Sequence, residues 1–175
     1  MIILIVFVVV ACIDQITKAI ILTQVPEDTG LYSPQHPKFF QITHQRNPGL
    51  VGGMFRERPT LRSVAPVLAC LVLLYLFRHL DATSKLQSLA YGLIAGGALG
   101  NLIDRVRLGS VTDFLQFHFY FIPFNFPWKQ FPSFNIADSA ICTGVFFLIV
   151  SWWAAPPMEQ SANEPAKEPA KNRKA

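Results

Sequence analysis

Asp113 and Asp138 are carboxylates with no basic residue at helical spacing to neutralise them. Asp113 is flanked by Val111, Phe114 and Leu115, and Asp138 follows Asn135 by three positions at the start of an apolar run. Two readings are open. In the first, Asp138 is simply favoured by a helix N-terminus and Asp113 is an ordinary loop residue. In the second, they form a dyad. Two carboxylates held close cannot both ionise, so one keeps a proton. The ionised one then draws a proton from water while its partner donates to a scissile carbonyl oxygen, which hydrolyses a peptide without metal or covalent intermediate.

Asp14 and Lys18 are four apart, so on a helix they share a face and can form an ion pair. Such a pair either neutralises both charges so that the helix inserts, or anchors a loop or a substrate headgroup beside a site. Asn101, Asp104 and Arg105 also repeat at helical spacing. An arginine there suits the negative end of a helix dipole, and Arg105 is placed to pair with Asp104 or Asp14. Asn101 lies deeper, where its amide can donate to a substrate carbonyl or to a carboxylate. Other chemistries are poorly supplied. His36, His44, His79 and His118 are scattered without metal-ligand pairing. No serine or cysteine sits in a nucleophile motif, and no loop is built to cradle a phosphate. Cys12, Cys70 and Cys142 all fall in apolar runs; an odd count without metal spacing reads as buried free thiols acting as small apolar residues. Neither a metal nor a cofactor is expected.

The elements that must position these groups are membrane-spanning. Of the 175 residues, 51% are hydrophobic and 15% charged, where a soluble domain carries about 25% charged residues. The apolar residues come in runs, and a bilayer takes about 20 of them at about 1.5 Å each. Four runs qualify: 2–22, interrupted only by Asp14, Gln15 and Lys18; 61–77; 86–103; and 134–155, where Trp152 and Trp153 form an interfacial belt. The expected fold is an all-α membrane protein, a four-helix bundle over 1–155, with a disordered basic tail over 156–175. That tail repeats Glu-Pro-Ala-Lys and is low in complexity. Its four basic residues, Lys167, Lys171, Arg173 and Lys174, suit anionic lipid headgroups rather than nucleic acid. Val9-Val10-Ala11-Cys12 looks superficially like the end of a cleavable signal, but no Lys or Arg precedes the run and it continues to Leu22. The first helix is therefore expected to be retained.

Two long connections separate the spans; the middle two spans share only a short turn around 79–85. The first long connection holds Phe39-Phe40-Gln41-Ile42-Thr43-His44, then Asn47-Pro48-Gly49 and Gly52-Gly53, which predicts a small β-hairpin lying on the membrane. The second, over 117–131, is crowded with aromatics and prolines and is expected to dip into the interface over a lipid-binding cleft. Parity of four spans puts the end of the first helix, both long connections, the end of the third helix and the start of the fourth on one side. Asp14, Lys18, Asn47, Asn101, Asp104, Arg105, Asp113, Asn135 and Asp138 all belong to that set. A charge at membrane depth costs about 2.5–3.5 kcal/mol on insertion scales and normally faces the bundle interior. The sequence thus implies a polar cavity opening toward one face. Gly96 and Gly100 give a small-xxx-small surface on which another helix can approach closely.

With these stretches in view, the sequence resembles the bacterial lipoprotein signal peptidases (signal peptidase II). The matching stretches are Asp14-Gln15-Ile16-Thr17-Lys18, Gly96-Gly97-Ala98-Leu99-Gly100-Asn101-Leu102-Ile103-Asp104-Arg105, Val111-Thr112-Asp113-Phe114 and Phe134-Asn135-Ile136-Ala137-Asp138-Ser139. They occur in the family's order. The resemblance implies an aspartic endopeptidase that cuts the signal peptide of prolipoproteins just before a diacylglyceryl-modified cysteine. Its catalytic aspartates fall on Asp113 and Asp138, and its supporting polar residues on Asp14, Asn47, Asn101, Arg105 and Asn135; Lys18, in the first matched stretch, is grouped with them. The implied partners are diacylglyceryl-prolipoprotein substrates and membrane lipids, with no nucleic acid and a monomeric enzyme. The implied location is the bacterial inner membrane, with the site at the periplasmic or extracytoplasmic face and both termini cytoplasmic. Charge does not orient the chain independently, because Lys38, Arg46, Arg56 and Arg58 nearly balance the tail.

Two stretches depart from the family pattern. Asn47-Pro48-Gly49 is followed by Leu50-Val51-Gly52-Gly53-Met54-Phe55 in place of a small residue and an aromatic, and the Phe/Pro-rich spacer between the aspartates is long. The rival function is a small transporter or proton-conducting bundle using the same carboxylates as a relay. Against it, the polar residues cluster at one face, and no half-helices of the transporter kind are evident. A non-catalytic assembly factor leaves the aspartate pair unexplained. The Gly-x-Gly-Asp signature of presenilin-type proteases is absent, since the segment reads Gly109-Ser110-Val111-Thr112-Asp113.

Overall fold

The structure is a computed structural model that describes residues 1–29, 39–49, 68, 71–73, 75, 77–78, 84–122, 124 and 129–153. The first apolar run forms α1, Ile2–Gln24, a helix of 23 residues and so about 35 Å long, enough for a hydrocarbon core of about 30 Å. It ends where Val25 turns extended and Pro26 cannot continue the helix. Strand β1 is Phe40–Asn47. Helix α2, Lys85–Leu108, starts on Ser84, whose hydroxyl accepts from the Gln87 N–H, and stops at Gly109 in the left-handed region at φ 69°. Strand β2 is Val111–Phe117, and α3 is Ile136–Trp153.

Among the described residues three helices are long and apolar enough to cross a membrane: α1, α2 and α3. Of the span expected at 61–77, Leu68, Leu71, Val72, Leu73, Tyr75 and Phe77 are described and are helical. The remainder of that span, Gly52-Gly53, Cys70, His36, His79 and the tail over 156–175 lie outside the described residues. Helix α2 runs to Leu108, beyond the expected end at 103, so Asp104 and Arg105 sit inside its last turns. The extension follows from capping: Gly109 stops the helix, and Arg105 and Arg107 complement its negative end.

Helix α2 packs between the other two. A Cβ on Gly96 would lie 2.8 Å from the Phe7 carbonyl oxygen and 2.9 Å from Val10 Cβ, so the small-residue face is where α1 meets α2. On the other side Gly97 faces Ala137 and Ile141, and Gly144 of α3 faces Ala90 and Ile94. Ala90, Tyr91, Ile94 and Leu148 form the buried core between α2 and α3. The outward face of α1, with Leu4, Ile5, Val9, Ile13 and Ile20, is exposed and apolar. Cys12 and Cys142 are free but exposed, which corrects the expectation of buried thiols. In a lipid-facing helix both faces are apolar, so an apolar neighbourhood in the sequence does not mean the interior.

A second correction concerns the sheet. Among the described residues the strand partner of β1 lies outside its own connection: it pairs antiparallel with β2, Phe40 opposite Phe117, Gln45 opposite Asp113 and Asn47 opposite Val111, with an irregularity between Ile42 and Gln45. Asp113 is therefore a strand residue, not a loop residue. On its other side β2 is pinned to the lead-in of α3, with Leu115 and Phe134 exchanging backbone bonds of 2.8 and 3.0 Å and the Phe114 N–H donating to the same Phe134 oxygen at 3.0 Å. Phe117 stacks on Phe134 at 5.9 Å and tilts against Phe39 at 5.3 Å, so aromatic burial holds this three-way junction.

Gly96→Leu is expected to lower the thermal unfolding midpoint in detergent markedly, since overpacking a close helix contact costs roughly 1–3 kcal/mol. An unchanged midpoint would show that α1 and α2 do not pack through this face.

Candidate active site

The site grows from an ion cluster where α1 crosses α2. Lys18, only 1% exposed, lies one turn past Asp14 on the inner face of α1. Its Nζ meets Asp14 Oδ2 at 2.9 Å and Asp104 Oδ2 at 3.3 Å, and donates to Asn101 Oδ1 at 2.9 Å. All three ammonium protons are thereby used. Asp14, fully buried, uses its other oxygen to accept the Ala137 N–H at 2.9 Å. That bond satisfies one of the free N–H groups at the start of α3 and places a negative charge at its positive end. Asp104 Oδ2 also accepts the Thr112 N–H at 2.9 Å, next to Asp113. Gln15 ties the pair together by donating to Asp14, to Asp104 and to the Gly100 carbonyl. A Cβ on Gly100 would collide with the Asp14 carboxylate.

From this cluster two asparagines lead to the two aspartates. Asn101 Oδ1 faces Lys18, so its amide nitrogen must point away, and it donates to Asp138 Oδ1 at 2.8 Å. Asn135 caps α3: its Oδ1 accepts the Asp138 N–H at 2.9 Å, while Asp138 Oδ2 accepts the Asn135 N–H at 3.3 Å. This is a reciprocal capping box built with Asn and Asp. The cap fixes the Asn135 amide, whose Nδ2 donates to Asp113 Oδ1 at 2.8 Å and lies 3.2 Å from Asn101 Oδ1. Asn135 thus holds both aspartates, one through its side chain and one through its backbone. Asp113 Oδ2 takes a second bond from Asn47 Nδ2 at 2.9 Å, and Asn47 Oδ1 in turn accepts the Gly49 N–H.

Asp113 is 2% exposed. Burial, and then the neighbouring Asp138 carboxylate, raise its carboxyl to about 7, against the lowering effect of the bonds from Asn47 and Asn135. Arg105 is not paired with Asp14 or Asp104, as its position in the sequence suggests; it donates to the Asn101 and Gly49 carbonyls, each at 3.3 Å. Lys18 already meets both carboxylates, which leaves the guanidinium free to bind the backbone of the Asn47-Pro48-Gly49 turn. Among the described residues no group of three His, Cys, Asp or Glu is arranged to hold a metal ion. A cavity of about 440 Å³ opens from Asp113 and Asn47 away from the helices.

The match to known proteins is extensive. The family model described as Signal peptidase (SPase) II matches residues 6–154. This chain belongs to the signal peptidase II family. A lipoprotein signal peptidase of Syntrophotalea carbinolica is 36% identical over 155 residues, 87% of this chain and 91% of that protein. One of Moorella thermoacetica is 35% identical over 156 residues, 89% of this chain and 94% of that protein. Two solved bacterial membrane enzymes, both determined by the in meso method, share the fold. The one at 2.3 Å resolution has a TM-score of 0.69 at 31% identity, covering 95% of this chain and 93% of that one. The one at 1.9 Å has a TM-score of 0.68 at 32% identity, covering 88% and 94%. Family membership makes the chain a membrane peptidase of bacterial inner-membrane type.

The structure brings the polar residues singled out in the sequence together, through bonds that their spacing did not indicate. Asp14, Lys18, Asn47, Asn101, Arg105, Asp113, Asn135 and Asp138 all gather at one end of the bundle. Four participants were missed as such: Asp104 as the second partner of Lys18, Gln15 as the tie between Asp14 and Asp104, and the Thr112 and Ala137 backbone N–H groups that the two carboxylates anchor. Spacing on α1 and α2 separately gave no sign that one cation serves both helices. Lys18→Met leaves two buried carboxylates uncompensated and is expected to cost roughly 3–5 kcal/mol of stability. Lys18→Met combined with Asp104→Asn recovers part of that loss. Thermal unfolding in detergent checks both; a Lys18→Met protein that melts with the parent contradicts the central role of the ion cluster.

Proposed function

We propose that the chain is an aspartic endopeptidase that removes the signal peptide from diacylglyceryl-modified prolipoproteins, cleaving before the lipidated cysteine at the membrane surface. The observation that carries this reading is Asn135 holding Asp113 and Asp138 together at the end of the bundle. The names of the relatives supply the substrate class. In this reading Asp113 holds the shared proton, in keeping with its raised value of about 7. Asp138 is the ionised base, at the positive end of α3 and facing an Asn101 amide polarised by Lys18.

Water between the carboxylates gives a proton to Asp138 as its oxygen attacks the scissile carbonyl, while Asp113 donates to the carbonyl oxygen. Collapse of the tetrahedral intermediate returns a proton to the leaving amine. Asn47, Asn101 and Asn135 keep the carboxylates oriented, with Asp14 and Lys18 behind them, and Arg105 holds the turn after Asn47. The site lies on the extracytoplasmic face of the inner membrane with both termini cytoplasmic, and the lipid of the substrate lies between helices beside the dyad. Both aspartates and their donors come from one chain, which suits a monomer. Among the described residues the buried charges stop at one end of the helices, which does not favour a relay across the bilayer.

Asp113→Asn and Asp138→Asn are each expected to leave a folded, membrane-inserted protein whose cleavage of a diacylglyceryl-prolipoprotein falls at least about 1,000-fold. Mass spectrometry of the released signal peptide reads the outcome, and near-parental cleavage by either variant would falsify the dyad. A carboxyl that titrates at 3.8 in the unfolded chain and at about 7 in the fold holds its proton more tightly when folded. Its contribution to stability is full below the unfolded value and is lost as pH rises through the folded one. The unfolding midpoint of the parent should therefore fall between about pH 4 and about pH 7 and level off above that, and Asp113→Asn should flatten that slope. Parallel slopes for parent and variant would assign the raised value elsewhere.

A further inference from the structure

The cavity beside Asp113 has walls of a particular chemistry. It measures about 440 Å³, and Asp113 is the member of the pair that lines it; Asp138 does not. Its walls come from β1, β2, residue 28 after α1 and the segment 130–133 before α3, with nothing from the membrane-spanning stretches of the helices. Gln45, Gln116, Gln130 and Ser133 line it with amides and a hydroxyl. Beyond them Asp28 and Arg46 add one charge of each sign. Asp28 is fixed there in the left-handed region, φ 58°, with its N–H bonded to the His44 carbonyl at 2.8 Å.

An acyl chain or an apolar signal sequence in this space would offer nothing to the hydrogen-bonding capacity of these side chains that is left over from their bonds to one another, and each buried polar group without a partner is unfavourable. A hydrated peptide segment satisfies them. We propose that this cavity is a specificity subsite for the polar residues on the C-terminal side of the scissile bond, those that follow the lipidated cysteine. The inference rests on the peptidase function proposed above and extends it. In such a substrate the signal peptide is apolar and the cysteine carries the lipid, so only the segment after the cysteine is hydrated and matches these walls. The Gln41–Gln116 bond across the strands at 2.7 Å and the bond from Ser133 to Gln45 hold the lining side chains in place before substrate arrives. Such preorganisation reduces the entropy lost on binding.

Two prolipoprotein substrates test this, identical through the diacylglyceryl-cysteine and differing only in the four residues after it, Ser-Asn-Gln-Ser in one and Leu-Val-Leu-Val in the other. The parent protein is expected to cleave the polar substrate with a kcat/KM about tenfold higher, the effect of one or two net hydrogen bonds. Gln116→Leu combined with Gln130→Leu should abolish that preference, and an unfolding midpoint close to the parent's shows that the variant is folded. Equal cleavage of both substrates by the parent overturns the subsite, and so does an unchanged preference in the double variant. A double variant inactive on both substrates is answered by the single variant Gln130→Leu, whose preference must fall at least threefold for the proposal to stand. Cleavage of neither substrate by the parent overturns the peptidase reading itself and this one with it.

Discussion

An ammonium group buried between helices is costly unless its charge is balanced and each of its protons is bound. Lys18 meets that condition with Asp14, Asp104 and Asn101, and most of the site is arranged by the second bonds of those partners. The remaining capacity of Asp14 goes to the start of α3 through the Ala137 N–H, and that of Asp104 to the start of β2 through the Thr112 N–H. One cation thus fixes the elements that carry the two aspartates, although it touches neither aspartate. Moving Lys18 would leave two buried carboxylates repelling each other at the crossing of α1 and α2. The requirement for charge balance acts here as a positional constraint, which is the better-attested use of buried ionic groups.

Asparagine is suited to pass this order on to the dyad. A primary amide has a donor end and an acceptor end, and its orientation is settled by whatever fixes one of them. Lys18 takes the oxygen of Asn101, the Asp138 N–H takes that of Asn135, and the Gly49 N–H takes that of Asn47. In each case the amide nitrogen is left facing the carboxylate of Asp113 or Asp138. Neutral connectors have a further consequence. A cation bound directly to Asp113 would hold it ionised, whereas neutral amides let burial and Asp138 keep its proton near neutral pH.

Three helical spans and the clustering of the polar residues were legible in the sequence because both are local signals: length, hydropathy and charges at membrane depth. The Asn135–Asp138 spacing likewise foreshadowed a helix start, since a capping box is read from residues three apart. The strand pairing was not legible. β1 has a strand-like composition but its partner lies beyond two helices, and β2 is buried along most of its length, so no alternation of polar and apolar residues marks it. Pairing of Lys18 with Asp104 is nonlocal for the same reason. The positions of Cys12 and Cys142 were misjudged because hydropathy separates membrane from water, not the interior of a bundle from its lipid-facing surface.

The length of the spacer between the aspartates looks at first like a threat to the geometry of the dyad. Its base removes that concern. Leu115 and Phe134 bond to each other, Phe131 donates to the Phe117 carbonyl at 2.8 Å, and Phe119 donates to the Lys129 carbonyl. His118 and Gln130 continue the same antiparallel bridge. The chain that leaves β2 is therefore zipped to the chain that returns to α3 before the aromatic segment begins. Whatever length lies beyond the bridge, Asp113 and Asn135 stay in register through Phe114 and Phe134. Closing a longer loop adds an entropic cost that grows only slowly with length. The placement of the two carboxylates and the size of the loop are thus decoupled, and a protein built this way can vary the aromatic segment without moving Asp113 or Asp138.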